Sequence, residues 1–250
     1  MPYGMYISAA GAQVQSERLR VLANNLANVD TAGFKREEAI FQARFAEAIE
    51  RGEDQPGSRS INDSGGGVRF AETITDFSKG NLRQTGEDTD LAIDGDGFFL
   101  VEKDGEQQLT RAGNFRLSAA GRLETQQGHA VLAADGKPLT IDPRLPWRVS
   151  ESGAVEQADR RTYLALVKPR SLGDLAKAGV NYFTPLAPVA PVAVAQRRVR
   201  SGYLEASTVV PSVEMMELIE TSRAFEANVR MIQHQDQMLG SLVNRVLRAA

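Results

Sequence analysis

The sequence predicts an α+β fold, in which N- and C-terminal helices form a coiled-coil-like helical layer and flank a central all-β domain. Two observations predict it. Near the N-terminus apolar residues alternate at spacings of three and four, and near the C-terminus they recur every seven residues. This spacing is typical of helices that pack against other helices. Between the two helices, short β-rich runs alternate with glycine-containing turns, as in sandwiches and irregular barrels.

The composition limits the class of protein. The chain has 250 residues, of which 42% are hydrophobic, enough for one large or two small domains with a buried core. Its 29 basic and 32 acidic residues nearly balance, so no strong field favours nucleic acid or an anionic membrane as a partner. There are no cysteines, which excludes disulfides, cysteine-ligated zinc and thiol nucleophiles.

The sequence predicts neither a cleavable signal peptide nor membrane insertion. Its first basic residue is Arg18, so the start of the chain lacks the positively charged region of a signal peptide. The most apolar segment, 185–195, is too short to span a bilayer and contains three prolines.

The first predicted helix runs from Met5 to Val29. Ile7, Val14 and Val21 form a second apolar row beside its main row, so this helix can contact more than one neighbour. An ordinary amphipathic helix packed on its own domain is the open alternative. The main row consists of Met5, Ser8, Ala12, Gln15, Leu19, Leu22, Leu26 and Val29.

The helix gives way to a turn within residues 23–35. Three asparagines, Asn24, Asn25 and Asn28, are poor helix formers that demand hydrogen bonds. Asp30 and Thr31 then offer side-chain caps, and Gly33 can adopt the left-handed conformation that ends a helix. Taken alone, the stretch predicts a helix C-terminus followed by a turn.

Segment 35–67 is predicted as a short helix followed by a flexible loop. Ile40, Phe41, Phe45 and Ile49 would lie on one side of a helix over 35–50. Residues 51–67 are rich in glycine and polar residues, and the triple glycine at 65–67 is not followed by the Lys-Ser/Thr of a phosphate-binding loop.

The central β domain is predicted over residues 68–184. Its clearest hairpin signal is Asp104-Gly105, which separates the runs 98–101 and 108–110. Two further turns are predicted at 119–121 and 135–136, whereas 172–183 is predicted as a loop with a weak helical turn. An extended connector, 185–207, follows because alanine, proline and valine alternate at its start.

The last helix is predicted from Val213 to Arg248. Its polar flanking positions, including Asn228 and Gln235, make it too polar for an ideal isolated dimer and suit a helix with several partners. We expect both terminal helices to become ordered on assembly, because single helices are marginal in water. The apolar heptad row of this helix is Leu218, Phe225, Ile232, Leu239 and Val246.

Several stretches together resemble the bacterial flagellar rod and hook proteins. Residues 23–35 match the family signature A-N-N-L-A-N-V-N-T-T-G-F-K except at Asp30 and Ala32. The middle of the chain repeats the family's D-x-A-I-x-G-x-G-F-F, T-R-x-G-x-F and G-x-L-x-T patterns at 90–99, 110–115 and 121–125. Residues 202–207 and 213–216 resemble the family's approach to its last helix, with Thr208 in place of asparagine.

The resemblance implies a structural subunit of the flagellar basal-body rod. In that family the terminal helices pair as an inner layer, and stacked subunits form the drive shaft that crosses the periplasm. Its implied partners are copies of itself, other rod subunits and the flagellar type III export apparatus, with export occurring without a cleaved signal peptide. The length, the modest loop after Phe34 and the compact middle favour a proximal rod subunit over a distal one. A hook subunit would need a further outer domain.

The sequence offers no catalytic machinery, so we predict no enzymatic activity, cofactor or metal. Neither His129 nor His234 has a partner suggested by spacing, and Asp94-Gly95-Asp96-Gly97 lacks the later ligands of a calcium loop. The rival hypothesis from another class is a soluble ligand-binding β domain that its helices merely dimerise.

The predicted assembly interface lies on both terminal helices. The predicted division of the chain is 1–34 for the N-terminal helix and signature turn, 35–67, 68–184, 185–207 and 208–250 for the C-terminal helix. The interface residues are Leu19, Leu22, Asn24, Asn25, Leu26, Asn28, Val29, Leu218, Phe225, Ile232, Leu239, Leu242 and Val246.

Overall fold

The structure is a computed structural model that describes residues 3–45, 47–53, 55, 57 and 65–249. The chain divides into two compact units. The first, here called the helical unit, comprises Met1–Ala27, Glu37–Asp76 and Val210–Ala250. The second, here called the β unit, comprises Asn28–Arg36 and Phe77–Val209. The predicted α+β class, with a helix at each end and β structure between, is confirmed.

The helical unit consists of two long helices, a pair of strands and one short helical turn. Helix α1 packs against α3 and against both strands, so it has more than one neighbour, as its two apolar rows predict. No helix in the described part of the chain is long and apolar enough to cross a membrane. The elements are α1 (Tyr3–Ala27), β1 (Glu37–Ala43), α2 (Glu47–Glu50), β2 (Val68–Thr75) and α3 (Pro211–Ala249).

The predicted helix over 35–50 is wrong for most of its length. Residues Glu37–Ala43 form strand β1, which pairs antiparallel with β2 and carries a register shift between Ile40 and Phe41. The Phe41 and Phe70 rings meet edge-on at a centroid distance of 6.2 Å. Isoleucine and phenylalanine favour strands when a partner strand is present. That partner lies beyond the loop, so local spacing did not reveal it.

The β unit is built on a nine-stranded sheet with smaller sheets beside it. Along its main path the large sheet runs β14-β15-β6-β5-β9-β8-β7, and β13 and β16 attach through β5. The other sheets are β10-β11-β12, β17-β4 and β18-β3. Its strands are β3 (Leu82–Gln84), β4 (Leu91–Ile93), β5 (Phe98–Lys103), β6 (Glu106–Thr110), β7 (Arg116–Leu117), β8 (Leu123–Glu124), β9 (Ala130–Val131), β10 (Trp147–Val149), β11 (Ala154–Gln157), β12 (Arg160–Tyr163), β13 (Leu166–Lys168), β14 (Leu175–Lys177), β15 (Tyr182–Pro185), β16 (Ala190–Pro191), β17 (Val199–Ser201) and β18 (Tyr203–Glu205).

The hairpin signals in the sequence correspond to real turns. Asp104 and Gly105 both have positive φ and join β5 to β6, as predicted. The turn that ends at Gly121 joins β7 to β8. The helical turn predicted within 172–183 corresponds to a 3-10 helix at Leu172–Asp174. The rest of the predicted loop is wrong, because β14 and the start of β15 lie there and add to the edge of the large sheet. Few apolar residues in that segment alternate, so its strands depend on the sheet that they join.

The core of the β unit lies against the large sheet in two clusters. One is centred on fully buried residues such as Phe99, Leu91 and Leu164, and Trp147 packs at its margin. In the other, the Phe77, Phe98 and Phe183 rings meet edge-on or tilted, with centroids 5.0–5.9 Å apart. Aromatic pairs of this geometry add to the stabilisation from burial alone.

Candidate assembly site

Helices α1 and α3 run antiparallel in the helical unit. A Cβ built on Gly4 would lie 2.9 Å from Gln235 Nε2, and one built on Gly11 would lie 2.9 Å from Asn228 Oδ1. Further along, Arg18 Nη2 lies 3.3 Å from Glu217 Oε2. Residue numbers therefore rise along α1 as they fall along α3.

The two helices differ in length, so part of α3 extends past α1. Helix α3 has 39 residues and α1 has 25, which at 1.5 Å per residue gives about 58 Å and about 38 Å. Because Gly4 lies beside Gln235 near the start of α1, the last turns of α3 run beyond the described end of α1. Leu242 and Val243, on those turns, are 63% and 53% exposed.

Asn25 joins three elements of the helical unit. Its side chain is fully buried, and its Nδ2 donates to the Glu37 backbone carbonyl at 2.9 Å and to Glu214 Oε2 at 3.2 Å. Its Oδ1 accepts from the Glu37 backbone N–H at 3.0 Å. One asparagine of the signature therefore holds α1, β1 and α3 together. A buried amide needs such partners, which gives a physical reason for asparagine at this position.

The predicted interface residues differ in how deeply they lie. Asn28 and Val29 belong to the β unit, whereas the other members belong to the helical unit. The side chain of Val246 lies outside the described residues. Leu22 and Asn25 are buried; Leu19, Leu26, Asn28, Val29, Leu218, Phe225 and Ile232 are half-buried; and Asn24, Leu239 and Leu242 are exposed.

Helix α3 exposes nine large apolar side chains among its described residues. Monomeric soluble proteins rarely expose large contiguous apolar patches, and such patches mark interaction sites. Methionine, which is over-used on adaptable binding surfaces, is prominent among the exposed residues. The exposed apolar residues of α3 are Val213, Met215, Met216, Ile219, Met231, Met238, Leu239, Leu242 and Val243.

The β unit buries a cluster of three charged side chains, here called the charge cluster: Lys35, Arg111 and Glu205. Lys35 Nζ lies 2.6 Å from Glu205 Oε1, and Arg111 Nη1 lies 3.2 Å from Glu205 Oε2. The side chains are only 2%, 7% and 1% exposed, respectively. Each of the three residues lies in a family motif, and the three motifs are far apart in the sequence.

Backbone groups complete the charge cluster. Glu205 Oε1 also accepts from the Gly80 N–H at 2.9 Å, and Lys35 donates to the Ser78 carbonyl at 2.6 Å. Arg111 donates to the carbonyls of residues 93 and 95. Burial lowers the pKa of the Arg111 guanidinium from its ordinary value, and the Glu205 carboxylate opposes this effect. The Glu205 carboxylate and several carbonyl oxygens thus contact two buried cations.

The turn that carries Lys35 takes the left-handed conformation predicted for it. Gly33 has a φ of +66°, and its N–H donates to the Glu205 carbonyl at 2.8 Å. A Cβ at this position would lie 2.4 Å from the Ala112 backbone nitrogen. Only glycine therefore allows the signature turn to approach the backbone of Arg111 and Ala112 so closely.

The acidic residues of the glycine-rich loop at 94–97 form ion pairs with basic side chains. Asp94 pairs with Arg200, while Asp96 pairs with Lys168 and Lys79. The Lys168 and Lys79 ammonium groups lower the pKa of the Asp96 carboxyl from its ordinary value. Both acidic residues of the loop that resembles a calcium site are therefore paired with basic side chains. No group of acidic and histidine residues suited to a metal ion occurs in the described ranges.

The two histidines lie in different surroundings. The His129 ring packs 4.9 Å from the Tyr182 ring, and its Nδ1 is buried without a hydrogen-bond partner among the described residues. Burial and the nearby Lys103 lower the pKa of His129 from its ordinary value, and Asp104 opposes them. His234 is exposed on α3. Neither arrangement assembles a nucleophile and a base.

Three family models match successive parts of the chain. Residues 5–35 match a model described as flagella basal body rod protein, and residues 92–157 match the flagellar hook protein FlgE/F/G D1 domain. Residues 200–245 match the flagellar basal body rod FlgEFG protein C-terminal model. The first and last models cover most of α1 and α3, respectively.

Full-length relatives match as well. The chain is 34% identical to the flagellar basal-body rod protein FlgF of Caulobacter vibrioides, over 98% of both chains. It is 31% identical to the flagellar basal-body rod protein FlgG of Buchnera aphidicola subsp. Baizongia pistaciae, over 95% of this chain and 97% of the relative. It is 30% identical to FlgG of Bacillus subtilis, over 96% and 97%.

Proposed function

The chain belongs to the flagellar basal-body rod protein family, and from this membership we propose that it is a structural subunit of the rod that assembles through its terminal helices. The observation that carries the proposal is the extent of the match, which covers 98% of both this chain and the FlgF relative. A shared domain grafted onto an unrelated protein would match only in part. Membership of this structural family implies no enzymatic activity.

The position in the rod is the proximal one. The FlgF relative is 34% identical, whereas the FlgG relatives compared with it are 30–31% identical. This ordering agrees with the short loop and compact middle noted in the sequence. A distal rod subunit is the alternative within the same family.

The assembly surface consists of the exposed apolar residues of α3 together with the turns that extend past α1. Its occupant is a terminal helix of another copy of this chain or of another rod subunit. Three features support this surface. Its apolar residues are exposed in the single chain, they continue beyond the described end of α1, and the family to which the chain belongs forms a rod. Contacts that do not close on themselves generate filaments and tubes, which a rod requires.

The remaining features of the proposal follow from the family. The subunit resides in the flagellar basal body, in the part of the rod that crosses the periplasm. It reaches that position through the flagellar type III export apparatus, without a cleaved signal peptide. It takes no cofactor, contacts no nucleic acid and does not insert in the membrane.

The experiment is a substitution on the overhanging part of α3. Leu242→Asp places a charge on an apolar, 63% exposed residue that lies beyond the described end of α1. Its matched control is Asn244→Asp, which adds the same charge to an exposed polar residue two positions away. We expect Leu242→Asp to abolish both filament formation by the purified chain and swimming of a strain that depends on it, and we expect the control to retain both.

Two further variants test the predicted heptad positions. Leu26→Asp and Phe225→Asp should also abolish assembly while the β unit stays folded, which Trp147 fluorescence reports because that residue packs on the β-unit core. Normal motility in all three aspartate variants would overturn the proposal. A defined small oligomer of the unmodified chain, with helices dispensable for a ligand-binding activity, would favour the rival ligand-binding hypothesis.

A further inference from the structure

Helix α3 carries a row of polar residues at seven-residue spacing that faces α1: Glu214, Thr221, Asn228 and Gln235, here called the polar seam. We propose that the polar seam fixes the register and the rotational setting of α1 on α3, and so reserves the neighbouring apolar row of α3 for other copies of the chain. The register concerns the single chain and stands apart from the proposed function. The reservation of the apolar row rests on that function.

The polar seam lies inside the helix pair. Glu214 is fully buried and bonded to Asn25, and Thr221 is 2% exposed. Asn228 and Gln235 are half-buried, and their amides lie against Gly11 and Gly4 of α1. The α1 residues that meet the seam are spaced by seven and fourteen positions, at 4, 11 and 25. The two helices therefore meet along matched rows.

The fit between these rows is tight at the glycines. A Cβ on Gly11 would lie 2.9 Å from Asn228 Oδ1 and 3.3 Å from its Cγ. A Cβ on Gly4 would lie 2.9 Å from Gln235 Nε2. Each amide thus occupies the space that a larger α1 residue would fill. A slip of one helical turn that brought Gly4 beside Met231 would place Ile7 against Asn228, and a slip in the opposite direction would place Ser8 and Gln15 against the two amides. The glycines therefore select one register.

The polar seam does not maximise the stability of the helix pair. Thr221 Oγ1 and Gln235 Oε1 are buried without a hydrogen-bond partner among the described residues, and so is Gln15 Oε1 on α1. Apolar residues at such positions would avoid the loss of hydration. In coiled coils a single polar residue at a core position fixes register and partner number at the expense of stability. The seam has this signature at four positions.

The apolar row of α3 lies beside the seam. Each of its members, Leu218, Phe225, Ile232 and Leu239, follows a seam residue by four positions, which is a rotation of about 40° around a helix. Hydrophobic burial alone would draw α1 onto this row. Instead α1 lies on the polar seam, and the first three members of the row remain half-buried while Leu239 is exposed. The seam therefore keeps part of the apolar row accessible.

The experiment uses engineered cysteine pairs in the full chain, which has no cysteine of its own. The pair Gly4→Cys with Gln235→Cys reports the observed register, and Gly4→Cys with Met231→Cys reports a slip of one helical turn. Because the in-register pair replaces Gln235, the intact seam means here that Glu214, Thr221 and Asn228 are unchanged. Each pair is oxidised with this intact seam and with Thr221→Leu and Asn228→Leu. The control carries Glu226→Leu and Gln233→Leu, two exposed positions of α3 that are also seven residues apart.

With the seam intact and in the control, we expect the in-register pair to form far more intramolecular disulfide than the slipped pair. The seam variant should lower that ratio by about tenfold, as expected when a register-fixing polar row is removed. It should also impair filament formation although it contains more leucine. An unchanged ratio in the seam variant, or no preference with the seam intact, would overturn the proposal. Failure of the unmodified chain to assemble, with its register preference present, would overturn the proposed function and leave the register inference standing.

Discussion

Replacing Glu205 by glutamine is the most direct test of the charge cluster in the β unit. Glu205→Gln keeps the shape of the side chain but removes a carboxylate that Lys35 and Arg111 share. Both cations are buried, so water cannot replace the lost charge. We therefore expect a large loss of stability in the β unit.

The magnitude follows from the burial of the three groups. Removing one partner of a buried ion pair costs about 3–5 kcal/mol, because an uncompensated charge remains. For a chain of this size, 1 kcal/mol shifts Tm by about 2–4 °C. The expected decrease in Tm is therefore roughly 6–20 °C.

Thermal unfolding followed by Trp147 fluorescence measures this effect. Trp147 is the single tryptophan and packs against the β-unit core. The matched control is Asp94→Asn, which also converts an acid to an amide in the β unit. Its partner Arg200 is 52% exposed and Asp94 is 38% exposed, so we expect a loss within about 1 kcal/mol.

The comparison of the two variants decides the question. Equal decreases in Tm for Glu205→Gln and Asp94→Asn would refute the claim that burial makes the charge cluster critical. A third variant tests the same reasoning from the opposite direction. Replacing all three charges by apolar residues, with Lys35→Met, Arg111→Met and Glu205→Leu, should recover part of the stability, since no buried charge then lacks a partner.

Three further predictions follow from the structure. Gly113→Ala should destabilise the β unit strongly, because the added Cβ would lie 1.6 Å from a backbone carbonyl oxygen. The control Gly95→Ala places its Cβ in open space and should be nearly neutral. Denaturation followed by Trp147 fluorescence compares the two variants. Because burial holds the pKa of His129 below its ordinary value, the unfolded chain binds the proton first, and stability should fall as the pH drops through about 6.5; His129→Gln should flatten that part of the profile. In hydrogen exchange of the unassembled chain, the last three turns of α3 should exchange much faster than the β-unit core, and slow exchange there would contradict ordering on assembly.

The sequence alone located the elements whose signals are local. Heptad spacing predicted both terminal helices, since helical periodicity repeats within a few residues. Asp104-Gly105 predicted its hairpin, because a two-residue turn needs positive φ at both positions. The family motifs were equally readable, and the matches to rod proteins along nearly the whole chain agree with them.

Tertiary structure decided what depends on distant partners. Strand β1 was mistaken for a helix because β2, which satisfies its backbone, lies beyond the intervening loop. The charge cluster combines one residue from each of three recognisable motifs. Only folding brings the Glu205 carboxylate within 3.2 Å of both Lys35 and Arg111. Heptad spacing also defines several rows on α3 without saying which one meets α1. In the structure the polar seam meets α1. The interactions that select it, hydrogen bonding at Asn25 and close approach at the glycines, act only between two helices that already lie side by side.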